Sequence, residues 1–254
     1  MKKILGIPIF SETFQRAVDH VINRALIDHA RANRLVSLTG AHGLVYSQKT
    51  PLVAAVLRAF YLNLPDGMPG VWVGRHLKGA PQMERVRGPD FFAAVMAQSA
   101  SKPIKHFFCG GKEGVADQLK SACAQKFGNT QVVGTYCPPF REMSDEELRN
   151  LGATINATGA DIVWMGLSTP KQEIFAQRLG RFTRVHFLVC VGAAFDFHIG
   201  AVREAPLFLQ KMGMEWAFRL AMEPRRLYRR YAEIVPAFIY YNVVDLIKGE
   251  EKKS

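Results

Sequence analysis

Short runs of apolar residues alternate along the chain with longer stretches in which apolar side chains recur at helical spacing. The short runs have the length of strands and lie at 4–10, 35–39, 61–64, 104–109, 132–135, 161–165 and 186–191. The helical stretches lie at about 13–32, 52–60, 89–99, 115–127, 145–158 and 171–179. Buried strands that alternate with helices are typical of a mostly parallel sheet with helices on both faces. The pattern therefore predicts an α/β fold.

The pattern changes after about residue 200, where no strand-like run remains. Aromatic and arginine residues recur there at helical spacing, which predicts a helical appendage over 201–254 laid against a sheet domain over 1–200. The apolar and aromatic segment 234–247 is too short to span a bilayer. It suits either the membrane interface or packing on the domain or on a second copy, and both readings stay open. Only 250–254 has the composition of a disordered tail.

The charge balance is strongly basic, with 33 Lys and Arg against 22 Asp and Glu and a formal net charge of +11. This balance indicates an anionic partner, such as nucleic acid, nucleotide phosphates or an acidic membrane leaflet, although a generally basic surface explains it equally well. The four cysteines form no CxxC pair, and no apolar stretch approaches the roughly 20 residues that a membrane span needs. We expect a cytoplasmic protein with reduced thiols.

Candidate ligand-binding residues follow the predicted strands, because parallel α/β sheets bind ligands beyond the carboxyl ends of their strands. They are Thr39, the turn Pro65-Asp66-Gly67, the run Cys109-Gly110-Gly111-Lys112, and Gly166 with the segment 169–173. The glycines allow backbone amides to approach a phosphate, but neither a P-loop spacing nor GxGxxG is present. Asp66 precedes a glycine, and its local sequence on its own favours a turn-forming role over a catalytic one.

No metal site is expected, because the chain has no DxD, HxH or HExxH motif. Positive charge for phosphate groups is available from Arg219, Arg226 and Arg230, which share one face of a predicted helix. Aromatic residues such as Trp216 are interleaved with them and indicate that this helix docks on another surface. A solvated helix face and a nucleic-acid surface remain open.

Taken together, the motifs resemble the WecG/TagA/CpsF family of bacterial glycosyltransferases over nearly the whole chain. The matching segments are Thr39 with the following helix, PDG at 65–67, ERVRGPD at 84–90, FFCGG at 107–111, GTY at 134–136, MGLSTPKQE at 165–173, GAAFDF at 192–197, Ala205-Pro206, EWAFRL at 215–220 and EPRR at 223–226. They occur in order and with sensible spacing, which makes the combined signature specific.

The resemblance implies a Rossmann-like fold and a metal-independent, inverting transfer of a hexose. The donor is a UDP-sugar of N-acetylmannosamine, its uronic acid or glucose, and the acceptor is an undecaprenyl-diphosphate-linked saccharide used in cell-surface or exopolysaccharide biosynthesis. No cofactor is implied beyond the donor. The expected location is the cytoplasm, with peripheral association at the inner face of the cell membrane.

The resemblance also implies roles for particular residues. Asp66 is the general base that takes the proton of the acceptor hydroxyl. The implied substrate-binding residues are Thr39, Arg87, Gln172 and Glu173 around the sugar and acceptor, Tyr136 with Gly110, Gly111 and Gly166 near the nucleotide, and Arg219, Arg226 and Arg230 over the diphosphate.

Two positions depart from the family pattern. Ala41 stands where many members have Asn, and Glu204 precedes Ala205-Pro206 where Arg is frequent. Both changes favour a donor sugar other than N-acetylmannosamine or its uronic acid. The alternative function is a basic nucleotide- or nucleic-acid-binding module without transferase activity. That reading lacks the aromatic-basic strand pattern of common RNA-binding folds, so no nucleic-acid partner is expected, whereas a homo-oligomer stays open.

Overall fold

The structure is a computed structural model that describes residues 1–251, without the side chains of Lys211, Arg226 and 249–251. The strands are β1 (Lys2–Ile4), β2 (Ile7–Ile9), β3 (Arg34–Thr39), β4 (Leu62–Pro65), β5 (His106–Gly110), β6 (Val132–Tyr136), β7 (Ile162–Gly166) and β8 (Phe187–Cys190). The helices are α1 (Phe14–Ile27), α2 (Ala41–Lys49), α3 (Pro51–Ala59), α4 (Met68–Trp72), α5 (Gly88–Ser99), α6 (Val115–Phe127), α7 (Asp145–Thr158), α8 (Lys171–Leu179), α9 (Ala194–His198), α10 (Leu207–Lys211), α11 (Glu215–Met222) and α12 (Pro224–Glu251), with a π-helical turn at Val73–Leu77.

Six strands form one parallel sheet in the order β4-β3-β8-β7-β5-β6. One apolar cluster packs α1, α5 and α6 on one face of this sheet, and a second packs α7 and α8 on the other. Trp164 of β7 points into the first cluster, where its ring meets that of Phe92 at 4.9 Å between centroids. The predicted parallel α/β fold with helices on both faces is confirmed.

The predicted first strand over 4–10 was wrong, because this segment is an antiparallel hairpin of β1 and β2 outside the main sheet. Leu5 and Gly6 turn the chain at φ 50° and 75°. The apolar run continues through this turn, so hydropathy alone does not reveal it. Helix α2 and the short α4 were also missed; no side chain caps either helix at its N-terminus.

No strand follows Gly200 within residues 1–251, as predicted, and α10, α11 and α12 occupy the end of the chain. One face of α12 is buried: Ile234 and Phe238 pack in a third apolar cluster with the β1–β2 hairpin, α2 and α3. The opposite face leaves Ile239 and Tyr240 exposed. The helix is therefore packed on the domain along one side and has an apolar surface along the other.

Two ion pairs fasten α12 to the rest of the chain: Lys49 to Glu233 at 2.5 Å and Lys78 to Asp245 at 2.7 Å. The backbone of residues 250 and 251 continues α12, whereas 252–254 of the predicted disordered tail lie outside the described residues. Within the described part of the chain, no helix is long and apolar enough to cross a membrane. All four cysteines are free thiols, and Cys109 and Cys190 are buried as predicted.

Candidate functional site

Asp66 lies directly after β4, beside the end of β3. Thr39 is the register partner of Pro65, and the Asp66 backbone N–H donates to the Thr39 carbonyl oxygen at 3.2 Å. Oδ1 of Asp66 accepts a hydrogen bond at 3.0 Å from the backbone N–H of Gly88, the first residue of α5. The carboxyl group is thus held at a helix N-terminus on the edge of the sheet where ligands bind.

Burial raises the pKa of Asp66 to about 7. The Gly88 hydrogen bond and the charge of Arg85 act against this rise, and the carboxylate of Glu215 adds to it. A carboxyl group with such a pKa is partly protonated and partly ionised near neutral pH, whereas an ordinary surface aspartate is fully ionised.

Arg87 lies near Asp66, whose pKa its charge lowers, and is 3% exposed. Its Nε donates to Oε1 of Glu215 at 3.0 Å, and its Nη1 donates to Oδ1 of Asp90 at 2.8 Å and lies 3.6 Å from Oε1 of Glu204. Arg85 pairs with the other carboxylate oxygen of Glu215. Because Glu215 belongs to α11, this ion cluster connects the C-terminal helices to the segment that leads into α5.

Two guanidinium groups lie close to the Phe197 ring: that of Arg87 is 4.9 Å from the ring centroid and that of Arg219 is 5.7 Å away. Nε of Arg219 and Nη2 of Arg87 are buried without a hydrogen-bond acceptor among the described residues. The structure therefore brings Arg87, expected near the sugar and acceptor, and Arg219, expected over the diphosphate, to the same aromatic ring.

Arg230 lies elsewhere on the appendage, beside His42 near the start of α2. Burial, followed by the positive charge of Arg230, lowers the pKa of His42 to about 4. The Arg230 guanidinium lies 5.5 Å from the Tyr231 ring centroid. The side chain of Arg226, the third predicted arginine, lies outside the described residues.

Thr39, Gln172 and Glu173 belong to one buried hydrogen-bond network. Oε1 of Glu173 accepts from Ser37 Oγ at 3.1 Å, from Thr169 Oγ1 at 3.0 Å and from Gln172 Nε2 at 3.0 Å. Thr39 Oγ1 lies 3.0 Å from Ser37 Oγ. Glu173 is 1% exposed, and burial raises its pKa. The Glu173 side chain is therefore buried, and it orients Ser37, Thr169 and Gln172 through these hydrogen bonds.

Two members of this network were missed by sequence reasoning. Ser37 lies within β3, and Asn63 lies within β4, where its Oδ1 is 3.2 Å from Thr39 Oγ1. Asn63 also donates to the carbonyl oxygen of Leu57 at 2.8 Å. A polar residue inside an otherwise apolar strand is the signal that identifies such positions, because a buried polar side chain needs hydrogen-bond partners.

The glycine turns meet at the ends of β5 and β7. A Cβ added to Gly110, whose φ is +143°, would lie 2.6 Å from the Gly166 nitrogen, and a Cβ on Gly166 would lie 2.6 Å from the Phe195 ring. The Gly111 N–H donates to the Gly166 carbonyl oxygen at 2.9 Å. These glycines allow close backbone packing, and the Gly111 amide already has its acceptor.

Tyr136 ends β6 beside these turns, and Cys137 Sγ lies 3.5 Å from the Gly111 carbonyl oxygen. The predicted residues therefore form two groups at the carboxyl ends of the strands, one around Asp66 and one around Gly110 and Tyr136. β4 and β6 are the two outer strands, five strand spacings apart, which corresponds to about 24 Å.

Comparison with known proteins gives one family. The family described as glycosyl transferase WecG/TagA/CpsF matches residues 2–252. The match covers the sheet that carries Asp66 as well as the helices that carry Arg219 and Arg230. The chain therefore belongs to the WecG/TagA/CpsF family of glycosyltransferases, which implies a nucleotide-sugar donor, a lipid-linked acceptor and a role in cell-surface polysaccharide biosynthesis.

Proposed function

We propose that this protein is an inverting, metal-independent hexosyltransferase with Asp66 as its catalytic base. The donor is a UDP-sugar of N-acetylmannosamine, its uronic acid or glucose, and the acceptor is an undecaprenyl-diphosphate-linked saccharide. The observation that supports this most strongly is the carboxyl group of Asp66 at the ligand-binding edge of the sheet, where burial raises its pKa to about 7. A base with a pKa near the working pH is efficient because it is ionised and still binds a proton well.

The reaction forms one bond and breaks one. The acceptor hydroxyl oxygen attacks the anomeric carbon from the face opposite UDP while the Asp66 carboxylate takes the hydroxyl proton. The bond between the anomeric carbon and the phosphate oxygen breaks, and UDP leaves with the electron pair. The configuration at the anomeric carbon is inverted because attack and departure occur on opposite faces.

The negative charge that develops on UDP needs positive partners, and the arginines supply them in this proposal. Arg219 lies on the Phe197 ring beside Arg87, and its Nε has no acceptor among the described residues. Charge-assisted hydrogen bonds to a diphosphate are strong and are worth most where the charge develops during the reaction. Asp66 acts once Arg219, Arg226 and Arg230 have closed over the donor.

Thr39 and Gln172 line the sugar pocket in this proposal. Glu173 orients Gln172 by a direct hydrogen bond and Thr39 through Ser37. Gln172 Oε1 accepts from the Gly192 N–H at 3.1 Å, and its Nε2 donates to Thr169 Oγ1 at 3.2 Å. These contacts fix the amide between the ends of β7 and β8. A fixed amide orients a sugar with little loss of side-chain entropy on binding.

A polyprenyl-linked acceptor requires the enzyme to work at the membrane surface. We place the docking surface on the exposed apolar face of α12, which includes Ile239, Tyr240 and Val243. The exposed Arg225 and Arg229 lie on the same helix and add attraction to anionic lipid headgroups. Such a helix lies in the interface without spanning it.

The experiment that tests the function is a donor screen with purified protein. UDP-hexoses are offered with a soluble lipid-diphosphate saccharide as acceptor, in parallel with EDTA and with added Mg²⁺. We expect transfer from at least one UDP-sugar at the same rate in both arms, with inverted anomeric configuration in the product. Transfer only with Mg²⁺ would refute metal independence, and no transfer from any UDP-sugar would refute the proposed donor class.

A further inference from the structure

Phe140 is a fully exposed aromatic residue in the loop between β6 and α7. Pro138 and Pro139 precede it and restrict the backbone, because each proline ring fixes φ. Arg141 and Glu142 follow and are exposed, and Met143 is buried. Phe140 is therefore a single exposed aromatic ring that follows two prolines and precedes two exposed charged residues. This composition does not suit insertion into a lipid surface, which needs several neighbouring apolar side chains.

The surroundings of Phe140 are suited to a nucleotide. The ammonium group of Lys171 lies 5.6 Å from the centroid of the Phe140 ring. Lys171 is the first residue of α8, directly after the segment that follows β7. At the base of the same loop, Cys137 Sγ lies 3.5 Å from the Gly111 carbonyl oxygen at the end of β5. An aromatic ring and a cation thus lie together in the segments that follow β6 and β7, and the base of the Phe140 loop contacts the Gly111 turn.

The positions of Phe140 and Asp66 along the sheet indicate how the ligand is oriented. The loop that carries Phe140 follows the outermost strand β6, and Asp66 follows the opposite outer strand β4. A nucleotide sugar has its reacting carbon at one end, its diphosphate in the middle and its nucleobase at the other end. With the anomeric carbon near Asp66, the nucleobase points toward β6.

We propose that Phe140 is a donor-binding residue whose ring stacks on the nucleobase of the nucleotide sugar. This inference rests on the proposed nucleotide-sugar donor. Every nucleobase has a flat π-face, and stacking on an aromatic side chain favours binding without needing hydrogen bonds to the base edge. The Lys171 ammonium lies on the ring and adds positive charge beside the bound diphosphate.

The test compares full-length wild type with Phe140→Ala and Phe140→Trp, using uridine, UDP and inorganic pyrophosphate as inhibitors of transfer. We expect Phe140→Ala to raise the inhibition constants of uridine and UDP about tenfold while that of pyrophosphate stays unchanged. The KM for the UDP-sugar should rise by the same factor, with kcat within about twofold of wild type, because the ring does not touch the reacting atoms. Phe140→Trp should restore wild-type values.

The exposed Ile27 at the end of α1 provides a control, and Ile27→Ala should change none of these constants. Unchanged uridine inhibition in Phe140→Ala would overturn the inference, as would an equal rise for pyrophosphate and uridine. Loss of vesicle binding by Phe140→Ala with normal UDP inhibition would assign the ring to the membrane and also overturn it. A wild-type enzyme that UDP does not inhibit would instead refute the nucleotide donor itself, and this inference with it.

Discussion

The Nε of Arg87 donates to Oε1 of Glu215 across 3.0 Å, which joins the segment between β4 and α5 to helix α11 near the far end of the chain. Both side chains are largely buried, with 4% and 15% of their surfaces exposed. A buried arginine that loses its carboxylate keeps its charge without compensation, so such pairs are costly to break from one side.

Glu215→Ala is therefore expected to lower the free energy of unfolding by about 3 kcal/mol or more and to abolish transfer. Urea unfolding followed by circular dichroism measures the first effect. Glu142→Ala is the matched control, because Glu142 also pairs with an arginine, at 2.6 Å, but is 83% exposed. Its effect should stay below about 1 kcal/mol. Equal effects of the two substitutions would contradict the buried character of the Arg87–Glu215 pair.

Asp66→Asn is expected to reduce kcat by about 10²- to 10⁴-fold and to leave the affinity for the UDP-sugar largely intact. The wild-type rate should increase with pH through about 7, as the carboxyl group becomes ionised. Asp19→Asn on α1 is the control, since Asp19 accepts a side-chain hydrogen bond from Gln15 at 2.7 Å and is not among the candidate site residues. Turnover of the Asp66→Asn variant at the wild-type rate would refute the base assignment.

The ionisation of Asp66 should also affect stability: the free energy of unfolding should fall as pH rises, whereas the reaction rate should increase. Its pKa rises on folding from 3.8 to about 7, so the folded state holds the proton more tightly than the unfolded chain. The stabilisation that comes from this tighter proton binding is fully present below pH 3.8 and is lost as pH rises through 7. Asp66→Asn, which stays neutral, should be more stable than wild type at pH 8, by at most about 4 kcal/mol. Thermal unfolding at pH 5 and pH 8 measures the difference, which should be larger at pH 8.

Gly88→Ala is expected to reduce both stability and kcat. An added Cβ would lie 2.8 Å from the Val191 carbonyl oxygen, so the backbone of α5 has to shift, and its N–H moves away from Asp66. We expect a loss of about 1–3 kcal/mol. Gly70→Ala is the matched control: apart from the backbone of its own helix and its chain neighbours, no described atom lies within 4 Å of the added Cβ, and the substitution should stabilise the protein slightly. A Gly88→Ala enzyme with wild-type kcat would show that the Asp66 contact is not needed for turnover.

Ile239→Asp is expected to weaken binding to vesicles that contain anionic lipid by about tenfold or more, because burial of an isoleucine side chain is worth about 1.5–3 kcal/mol. Ile239 is 59% exposed on the outer face of α12, so its replacement leaves the packed face intact. Activity on a soluble acceptor should not change. Ile27→Asp, at a site 70% exposed on α1, serves as the control for a general charge effect. Equal flotation of Ile239→Asp and wild type would exclude this face of α12 as the docking surface.

Local signals allowed a large part of the fold to be predicted. Helix α7 is an example: Ser144 and Glu147 form a capping box, Gly159 ends the helix at φ 67°, and the predicted bounds 145–158 are those observed. The placement of Thr39 and Asp66 at the carboxyl ends of parallel strands was also predicted from the strand pattern, whereas the strand order that makes them neighbours was not.

The contacts that complete the site depend on distant parts of the chain. Arg87 meets Glu215 only through the packing of α11, and Glu173 meets Ser37 only through the register of β3 and the placement of α8. No local pattern specifies such pairs. The turn at Leu5 was missed for a related reason, because leucine does not ordinarily signal a positive φ.

The third apolar cluster has a consequence for biosynthesis. It joins Ile4 and Ile7 to Ile234 and Phe238, which follow about 230 residues later in the chain. During translation the apolar side of the β1–β2 hairpin is therefore uncovered while the residues between it and α12 are synthesised. A nascent chain is open to self-association over that interval, and removal of α12 would make that state permanent.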